Sequence, residues 1–331
     1  MVDRFFCTLF TADTQLFHFS FARYALVEAF RRLQLQPGDK VLLPEYLCRD
    51  VLASLHVLGL EPVWYPVDHH LGPALASSEW PIAKAVLAVN YFGFPQDLAP
   101  FETYAKRSGA VVIEDNAHGF LSRDSLGRLL GTRTDLGLFS YRKTFLLGRG
   151  AGLAINRANL KQRGGVQVPF NSLPMPREIQ LRRHLQRIFG TRLPAHLLAK
   201  GIRLLRQVQG KTAIPPTTED AEYVIPGTAN PDDFLISTLN GESAQREGQR
   251  RRNLYRVLHA RAKSVGLTPV YSELPEHTVP YGLALFSDDP QSIAKLAAQA
   301  HLDFFKWPDL PSAVLAQAPK HYSEIYLINF L

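Results

Sequence analysis

The chain has 331 residues, of which 46% are hydrophobic and 20% are charged, with a formal net charge of +7 at neutral pH. This length is enough for a large core and predicts roughly two domains. No apolar run approaches the ~20 residues of a membrane span, and the first 15 residues lack the order of a secretion signal. We therefore expect a cytoplasmic protein. Two cysteines and scattered histidines predict neither a disulfide framework nor a metal site.

The first half of the chain alternates between helical and strand patterns. Short apolar runs predict strands, and segments with a period of 3.6 residues predict helices between them. In chain order the segments are "FARYALVEAFRRL" (helix), "KVLLP" (strand), "YLCRDVLASLHVLGL" (helix to Gly59), "EPVWYPVD" (strand), "AKAVLAVNYFG" (strand), "DLAPFETYAKRSG" (helix from Asp97 to Gly109) and "GAVVIEDNAHG" (strand). This order predicts an α/β fold with a mainly parallel central sheet and helices on both faces.

Polar residues follow several of these strands at their C-terminal ends. In open parallel sheets, ligands bind at that edge. We therefore expect Asn90, Glu114, Asp115, Ser140 and Lys143 to cluster in a ligand site.

The pattern changes after residue 160. A basic stretch, residues 177–211, carries nine lysines and arginines against one acid. We interpret it as a solvated helical face, with an anionic partner as the alternative. A Pro- and Thr-rich connection and a long helix closing at Gly266 come next, followed by a strand, an Asp-capped helix and a strand. The predicted domains are residues 1–235, with a basic helical insertion at about 176–212, and a smaller α/β domain of residues 236–331.

The segment "TDLGLFSYRKTFLLGRGAGLAI", residues 134–155, carries the most chemistry. Lys143 follows a predicted strand, Ser140 stands three residues before it, and glycines follow at positions 148, 150 and 152. A lysine in this position is either a surface charge or an amine nucleophile. Glycines would let the backbone approach a ligand closely.

A second segment, "SFARYAL", opens the first strong helix. Ser20 is a candidate cap, and Arg23 and Tyr24 lie in the first turns, where backbone N–H groups are unpaired and can bind phosphate. An amine, the Asp115 carboxylate and a phosphate cradle at strand ends together indicate pyridoxal 5′-phosphate. The amine would form a Schiff base with this cofactor, and the carboxylate would keep its ring nitrogen protonated.

The chain resembles the DegT/DnrJ/StrS-type sugar aminotransferases, which are pyridoxal-phosphate enzymes of fold type I. The resemblance runs through "GDKVLLPEYLCRDVLASLHVLGLEPVWYPVD", "AVLAVNYFGFPQDLAPFETYAKRSGAVVIEDNAHG" and the segment of Lys143, covering residues 20–156, and more weakly through the rest. It implies that Lys143 carries the cofactor and that Asp115 pairs with the pyridine nitrogen. His118 would lie beside the cofactor ring, Ser140 would bind the phosphate, and Cys48 falls where the family often has a stacking aromatic residue.

Three features depart from the family pattern. Ser140 and Lys143 are three residues apart instead of the usual five, Arg23 replaces a hydroxyl residue of the phosphate loop, and Cys48 replaces an aromatic residue, for which Tyr46 is a candidate substitute.

The resemblance implies a homodimeric aminotransferase that moves an amino group from a glutamate-like donor to a carbonyl substrate, such as a nucleotide-linked keto sugar. Alternatives are another carbanion reaction of the same cofactor, such as elimination or aldol cleavage, and a non-catalytic homologue that binds a ligand or partner. No motif of a nucleic-acid module is present. A dinucleotide-binding dehydrogenase is disfavoured because the first strand is not followed by G-x-G-x-x-G.

Overall fold

The computed structural model describes residues 3–145, 147–161, 218–232 and 239–331, together with the single positions 180, 181, 184, 201 and 235. The predicted basic insertion at about 176–212 lies outside the described residues, apart from those single positions. In the described part of the chain, no helix is both long and apolar enough to cross a membrane.

The described elements form two sheets and eight α-helices. The first sheet contains β1 (Gln15–Phe19), β2 (Lys40–Pro44), β3 (Glu61–Tyr65), β4 (Ala85–Val89), β5 (Val111–Asn116), β6 (Leu136–Phe139) and β7 (Ala151–Ile155). The second contains β8 (Thr268–Pro269), β9 (Gly282–Phe286), β10 (Asp303–Lys306) and β11 (Ile325–Asn329). The helices are α1 (Asp3–Leu9), α2 (Ala22–Arg32), α3 (Ala53–His56), α4 (Ala99–Ser108), α5 (Ala158–Lys161), α6 (Gly241–Ser264), α7 (Pro290–Gln299) and α8 (Ser312–Leu315).

The first sheet has the strand order β1-β7-β6-β5-β4-β2-β3. All pairs from β6 to β3 are parallel, and β7 runs antiparallel to both of its neighbours. The predicted mainly parallel sheet is therefore confirmed. Because five parallel strands end at the same edge, the residues that follow them share one side of the molecule.

Local signals place the helices between these strands. The helix α4 begins after Asp97, whose carboxylate accepts a hydrogen bond from the Ala99 N–H at 3.0 Å, and ends at Gly109, which has a φ of +73°. The α6 helix begins with a capping box between Asn240 and Ser243.

The helix predicted over "YLCRDVLASLHVLGL" starts later than expected. A 3-10 turn spans Arg49–Leu52 and leads into the short α3. Tyr46 is instead fully buried, and its hydroxyl donates to the carbonyl of Trp307. This tertiary contact overrides the local helical pattern.

The second sheet has the order β10-β11-β9-β8 and shares a hydrophobic core with the first. Rings from both parts meet in one continuous core, where Tyr46 lies 5.1 Å from both Trp307 and Tyr322, between ring centroids. The strand–helix–strand order predicted for this region is confirmed by β9, α7 and β10, with Asp289 capping α7. The boundary at residues 235 and 236 stays a prediction.

Candidate active site

A cavity lies at the C-terminal ends of β4, β5 and β6, with about 710 Å³ of empty space when the open solvent at its mouth is included. The start of α2 and the turn after β6 form two of its walls, and Trp307, which follows β10, forms another. The polar and titratable residues that line it are Arg23, Cys48, Asp50, Asp115, His118, Ser140, Arg142 and Lys143.

Lys143 reaches this cavity from a tight turn. The 3-10 turn Tyr141–Lys143 follows β6 directly, and the Lys143 N–H donates to the carbonyl of Ser140 at 3.1 Å. The side-chain Nζ lies 3.1 Å from Nε2 of His118 and 5.9 Å from the ring centroid of Tyr281. The amine is therefore held by two side chains inside the cavity instead of extending into water.

The protonation state of His118 follows from its surroundings. The Phe92 N–H donates to Nδ1 at 3.2 Å, so Nδ1 acts as an acceptor. Burial, together with the charge of Lys143, holds the pKa of His118 well below its ordinary value. The neutral ring then carries its proton on Nε2, and this N–H can donate to Nζ of Lys143 when the amine is uncharged. The ring is also stacked on Tyr281 at 4.7 Å.

Asp115 lies on β5, in register with Val89 on one side and Leu138 on the other. Its carboxylate accepts a hydrogen bond from the Ala117 N–H at 2.9 Å. Burial raises the pKa of Asp115, although this hydrogen bond and the charge of Lys143 act in the opposite direction. A buried carboxylate of this kind is stabilised by a cationic N–H, such as a protonated ring nitrogen.

The neighbouring Glu114 points to the other face of the sheet, because successive strand residues alternate. It is fully buried and accepts hydrogen bonds from Arg133 Nε and from the Asn90 amide, both at 2.8 Å. The expectation that Glu114 and Asn90 belong to the ligand cluster is wrong for this reason. They form a separate buried network.

The end of the cavity beside the start of α2 is basic. The guanidinium groups of Arg23 and Arg142 lie 5.7 and 5.4 Å from the ring centroid of Phe21. Nε of Arg142 is buried and has no hydrogen-bond partner among the described residues. Arg23 lies 3.7 Å from the Asp50 carboxylate. The buried Ser140 also lines this region.

The first turn of α2 opens into the same basic region. Its N-cap is Phe21, and no described side chain caps it. The predicted cap, Ser20, instead donates to the carbonyl of Thr228. Unpaired N–H groups at a helix start, together with an arginine N–H that has no described partner, are suited to bind an anion such as phosphate.

The structure brings together six of the seven residues predicted for this site, which are Lys143, Asp115, His118, Ser140, Arg23 and Cys48. Tyr24 lies outside the cavity. It follows Arg23 on α2, so its side chain points about 100° away from that of Arg23, and its hydroxyl donates to the carbonyl of Gly227 at 2.6 Å. The pKa of the Cys48 thiol is raised to about 12 by burial and the Asp50 charge, so the thiol stays neutral.

Sequence reasoning missed Arg142 and Trp307. Arg142 stands between Ser140 and Lys143, so its position in the turn was an available signal. Trp307 lies 5.2 Å from His118, between ring centroids, and supplies an aromatic wall that Tyr46 does not. No local pattern relates it to the residues around Asp115.

These residues fit pyridoxal 5′-phosphate. The unpaired Nε of Arg142 and the uncapped start of α2 suit its phosphate, the buried Asp115 carboxylate suits its ring nitrogen, and the Lys143 amine suits its aldehyde. The strand order and the position of the site at the C-terminal ends of β4, β5 and β6 match the fold-type-I architecture of pyridoxal-phosphate enzymes.

Comparison with known proteins agrees with this class. Residues 15–163 of the chain match the pattern of the DegT/DnrJ/EryC1/StrS aminotransferase family. The chain is similar over 95% of its length to the crystal structure of the aminotransferase TlmJ from Streptoalloteichus hindustanus, with a TM-score of 0.62, 19% identity and 80% of that chain covered. The predicted fold is confirmed, and the matched family is the one that the sequence resembles.

Two curated relatives are similar over a shorter region. Protein MosB from Rhizobium meliloti is 34% identical over 134 residues, which are 39% of this chain and 26% of that protein. A UDP-N-acetyl-3-dehydro-alpha-D-glucosamine 3-aminotransferase from Acidithiobacillus ferrooxidans is 30% identical over 128 residues, 38% of this chain and 34% of that protein. The matched part of the chain thus spans only about a quarter to a third of these relatives.

Proposed function

We propose that this chain is a pyridoxal-phosphate-dependent aminotransferase that transfers an amino group from a glutamate-like amino acid to a carbonyl acceptor. The observation that carries the proposal is the placement of Lys143, Asp115 and the unpaired Nε of Arg142 in one cavity. An amine, a buried carboxylate and an anion-binding group at three positions match the three polar parts of the cofactor.

Each residue has a distinct part in the reaction. When bound, pyridoxal phosphate supplies an electron sink for the substrate carbon. Arg142, Arg23 and Ser140 would hold the phosphate, and the Asp115 carboxylate would keep a proton at the ring nitrogen. Lys143 would hold the cofactor through its amine, and its Nζ, when released by the amino donor, would serve as the base that moves the proton of the donor carbon.

His118 orients the Lys143 amine in this scheme. Its Nε2–H faces Nζ and stays in that tautomer because the Phe92 N–H occupies Nδ1. Trp307 closes one side of the cavity and keeps water away from the reacting groups.

The acceptor class that we propose is a keto sugar, such as a nucleotide-linked one. It is supported by the Acidithiobacillus relative, whose name specifies a dehydrogenated amino sugar as its substrate.

We also propose a homodimer, by resemblance to fold-type-I enzymes, with an interface above ~2,000 Å² in total. Solution scattering of the cofactor-loaded protein tests this, and a strictly monomeric particle contradicts it.

The test of the cofactor assignment is spectroscopic and chemical. Purified protein loaded with pyridoxal phosphate should show a visible absorbance band that bleaches with glutamate. Borohydride reduction should attach the cofactor to the peptide that contains Lys143. The exposed Lys84 provides the matched control, because Lys84→Ala should keep the band and Lys143→Ala should lose it.

The results separate the alternatives. A band that bleaches with glutamate supports transamination. A band that no amino acid bleaches, with Lys143 still labelled, favours another reaction or a non-catalytic role. Label on a different lysine, or no band at all, contradicts the proposal.

A further inference from the structure

Arg251, on the α6 helix, is the largest fully buried side chain of the described residues, and it lies behind the Lys143 turn, outside the cavity. Its guanidinium has five N–H groups, and each of them has an acceptor. Nε donates to Glu247 at 2.6 Å. The other four donors reach backbone carbonyls in two distant segments of the chain.

One pair of these carbonyls belongs to the lysine turn. Nη2 of Arg251 donates to the carbonyl of Lys143 at 3.1 Å and to that of Thr144 at 2.9 Å. These contacts fix the backbone from which the Lys143 side chain projects. A shift of this backbone moves the amine in the cavity directly.

The second pair belongs to the segment that leads into β9. Nη1 donates to the carbonyls of Pro280 and Tyr281 at 3.3 and 3.0 Å. The ring of Tyr281 stacks on His118 at an interplanar angle of 5°, and His118 contacts Nζ of Lys143. One guanidinium therefore positions both the lysine backbone and the ring that supports the partner of its amine.

The charge of Arg251 is balanced by Glu247. Burial acts to raise the pKa of Glu247, but the charges of Arg251 and Arg250 outweigh it and hold this pKa below its ordinary value. Burying an ion pair is often no more favourable than burying apolar residues of the same volume. A guanidinium whose five N–H groups are all hydrogen-bonded can instead fix the relative positions of the two segments it joins. Its planar fork sets the directions of these hydrogen bonds, which an ammonium group cannot do.

We propose that Arg251 is a positioning residue that sets the location of the Lys143 amine through the lysine turn and through Tyr281 and His118. This inference rests on the proposed function, since it assigns Lys143 a chemical role. A purely structural role for Arg251 would affect only the stability of the fold. A positioning role requires that replacement of Arg251 change the reactivity of the Lys143 amine more than it changes that stability.

The adjacent Arg250 provides a matched control. It shares Glu247, at 2.5 Å, but its other contact is the carbonyl of Phe330, away from the lysine turn. Replacement of either arginine by lysine thus disturbs the same carboxylate. Only Arg251→Lys loses the fork that joins the two segments.

The experiment begins with the cofactor-loaded parent protein. Labelling of Lys143 by borohydride must be observed there, and its absence is a failure of the proposed function, not of this inference. The pH midpoint of the visible band, the rate of bleaching by glutamate and the melting temperature are then measured for Arg251→Lys and Arg250→Lys. Rates are compared at equal intervals below each melting temperature.

We expect Arg251→Lys to shift the pH midpoint and to slow bleaching by about 10- to 100-fold, the range that a misplacement of about 1 Å produces. Arg250→Lys should change the rate by less than about threefold. Equal rates and equal pH midpoints in the two variants overturn the inference, whatever their melting temperatures.

A second variant covers the case in which Arg251→Lys does not fold. Tyr281→Leu removes the ring that supports His118 and keeps the backbone carbonyl that binds Arg251. It should displace the pH midpoint of the visible band. An unchanged midpoint in Tyr281→Leu overturns the link from Arg251 to the amine.

Discussion

Two adjacent acids on β5, Glu114 and Asp115, should respond in opposite ways to removal of their charge. Glu114→Gln and Asp115→Asn each replace a carboxylate by an amide of the same size. The two side chains lie on opposite faces of the sheet, one in a buried ion pair and the other in the cavity. The pair of variants therefore separates stability from chemistry at neighbouring positions.

The structure indicates a large stability effect for Glu114→Gln. Glu114 lies 2.7 Å from the guanidinium of Arg133, whose side chain is only 4% exposed, and it also accepts the Arg133 N–H at 3.1 Å. Loss of one partner leaves the other charge buried and unpaired, which costs ~3–5 kcal/mol. This is a large part of the ~5–15 kcal/mol that stabilises an average domain. The cavity itself should be unchanged, so the visible cofactor band should remain.

Asp115→Asn should not lower stability but should slow the reaction. An amide oxygen keeps the hydrogen bond from the Ala117 N–H, and burial already disfavours the charge. With the charge gone, a ring nitrogen in the site would lose its proton. We expect half-transamination to slow by at least ~100-fold, about 2.7 kcal/mol of barrier, while the absorbance band persists.

The sign of the pH dependence of Asp115 supplies a further check. The folded protein binds a proton at Asp115 more tightly than the unfolded chain does, because its pKa is raised. The parent should therefore lose stability relative to Asp115→Asn as the pH rises from about 3.9 through the raised pKa.

Urea unfolding of the cofactor-free proteins and stopped-flow absorbance of the loaded proteins provide the two measurements. The reasoning is refuted if Glu114→Gln unfolds at the same urea concentration as the parent, or if Asp115→Asn reacts with glutamate at the parent rate. In the second case Asp115 is not the partner of the ring nitrogen.

Three other changes have defined outcomes. Because the pKa of His118 is lowered by burial, the unfolded chain takes up a proton that the folded ring does not, so the parent should lose stability as the pH falls below about 6.5. His118→Gln should remove this loss in urea titrations at pH 7 and pH 5, and an unchanged pH slope contradicts the assignment. Arg142→Gln should weaken binding of pyridoxal phosphate by roughly 10- to 100-fold, measured by equilibrium dialysis, if its free Nε binds the phosphate; unchanged affinity excludes that role. Gly152→Ala places a Cβ 2.0 Å from the Tyr141 hydroxyl and should destabilise the fold by roughly 1–3 kcal/mol in urea, and the second change Tyr141→Phe should restore part of this. No recovery in that double variant means that the strain lies elsewhere.

Much of the fold was predictable because its signals are local. The continuous apolar runs at β2, β4 and β5 are typical of strands covered on both faces, and glycines end the helices before the next strand. The placement of the site followed from the parallel order, since polar residues after such strands share one edge.

The errors and omissions arise where tertiary contacts decide. Tyr24 and Arg23 are neighbours in sequence, yet only Arg23 lines the cavity, because the orientation of α2 against the sheet selects one direction around the helix. Glu114 and Asp115 are likewise separated by the pleat of β5. The two-residue repeat of a strand shows that Glu114 and Asp115 point to opposite faces of the sheet. Which of these faces carries the cavity depends on how the second sheet packs. Trp307 is 192 positions beyond Asp115 and could not have been assigned to the site without that packing.

The aromatic wall at Trp307 has a consequence for how the protein matures during synthesis. The Trp307 N–H donates to the carbonyl of Ile325 at 3.1 Å, so the wall is held in place by β11. Domains generally fold in the order of their synthesis. On the ribosome, the strands that carry Asp115 and Lys143 can assemble early, but their cavity stays open on one side until β11 has emerged and paired with β9 and β10. A nascent chain halted before Ile325 should therefore expose the lysine without an enclosed pocket. Tight cofactor binding should become possible only near the end of synthesis.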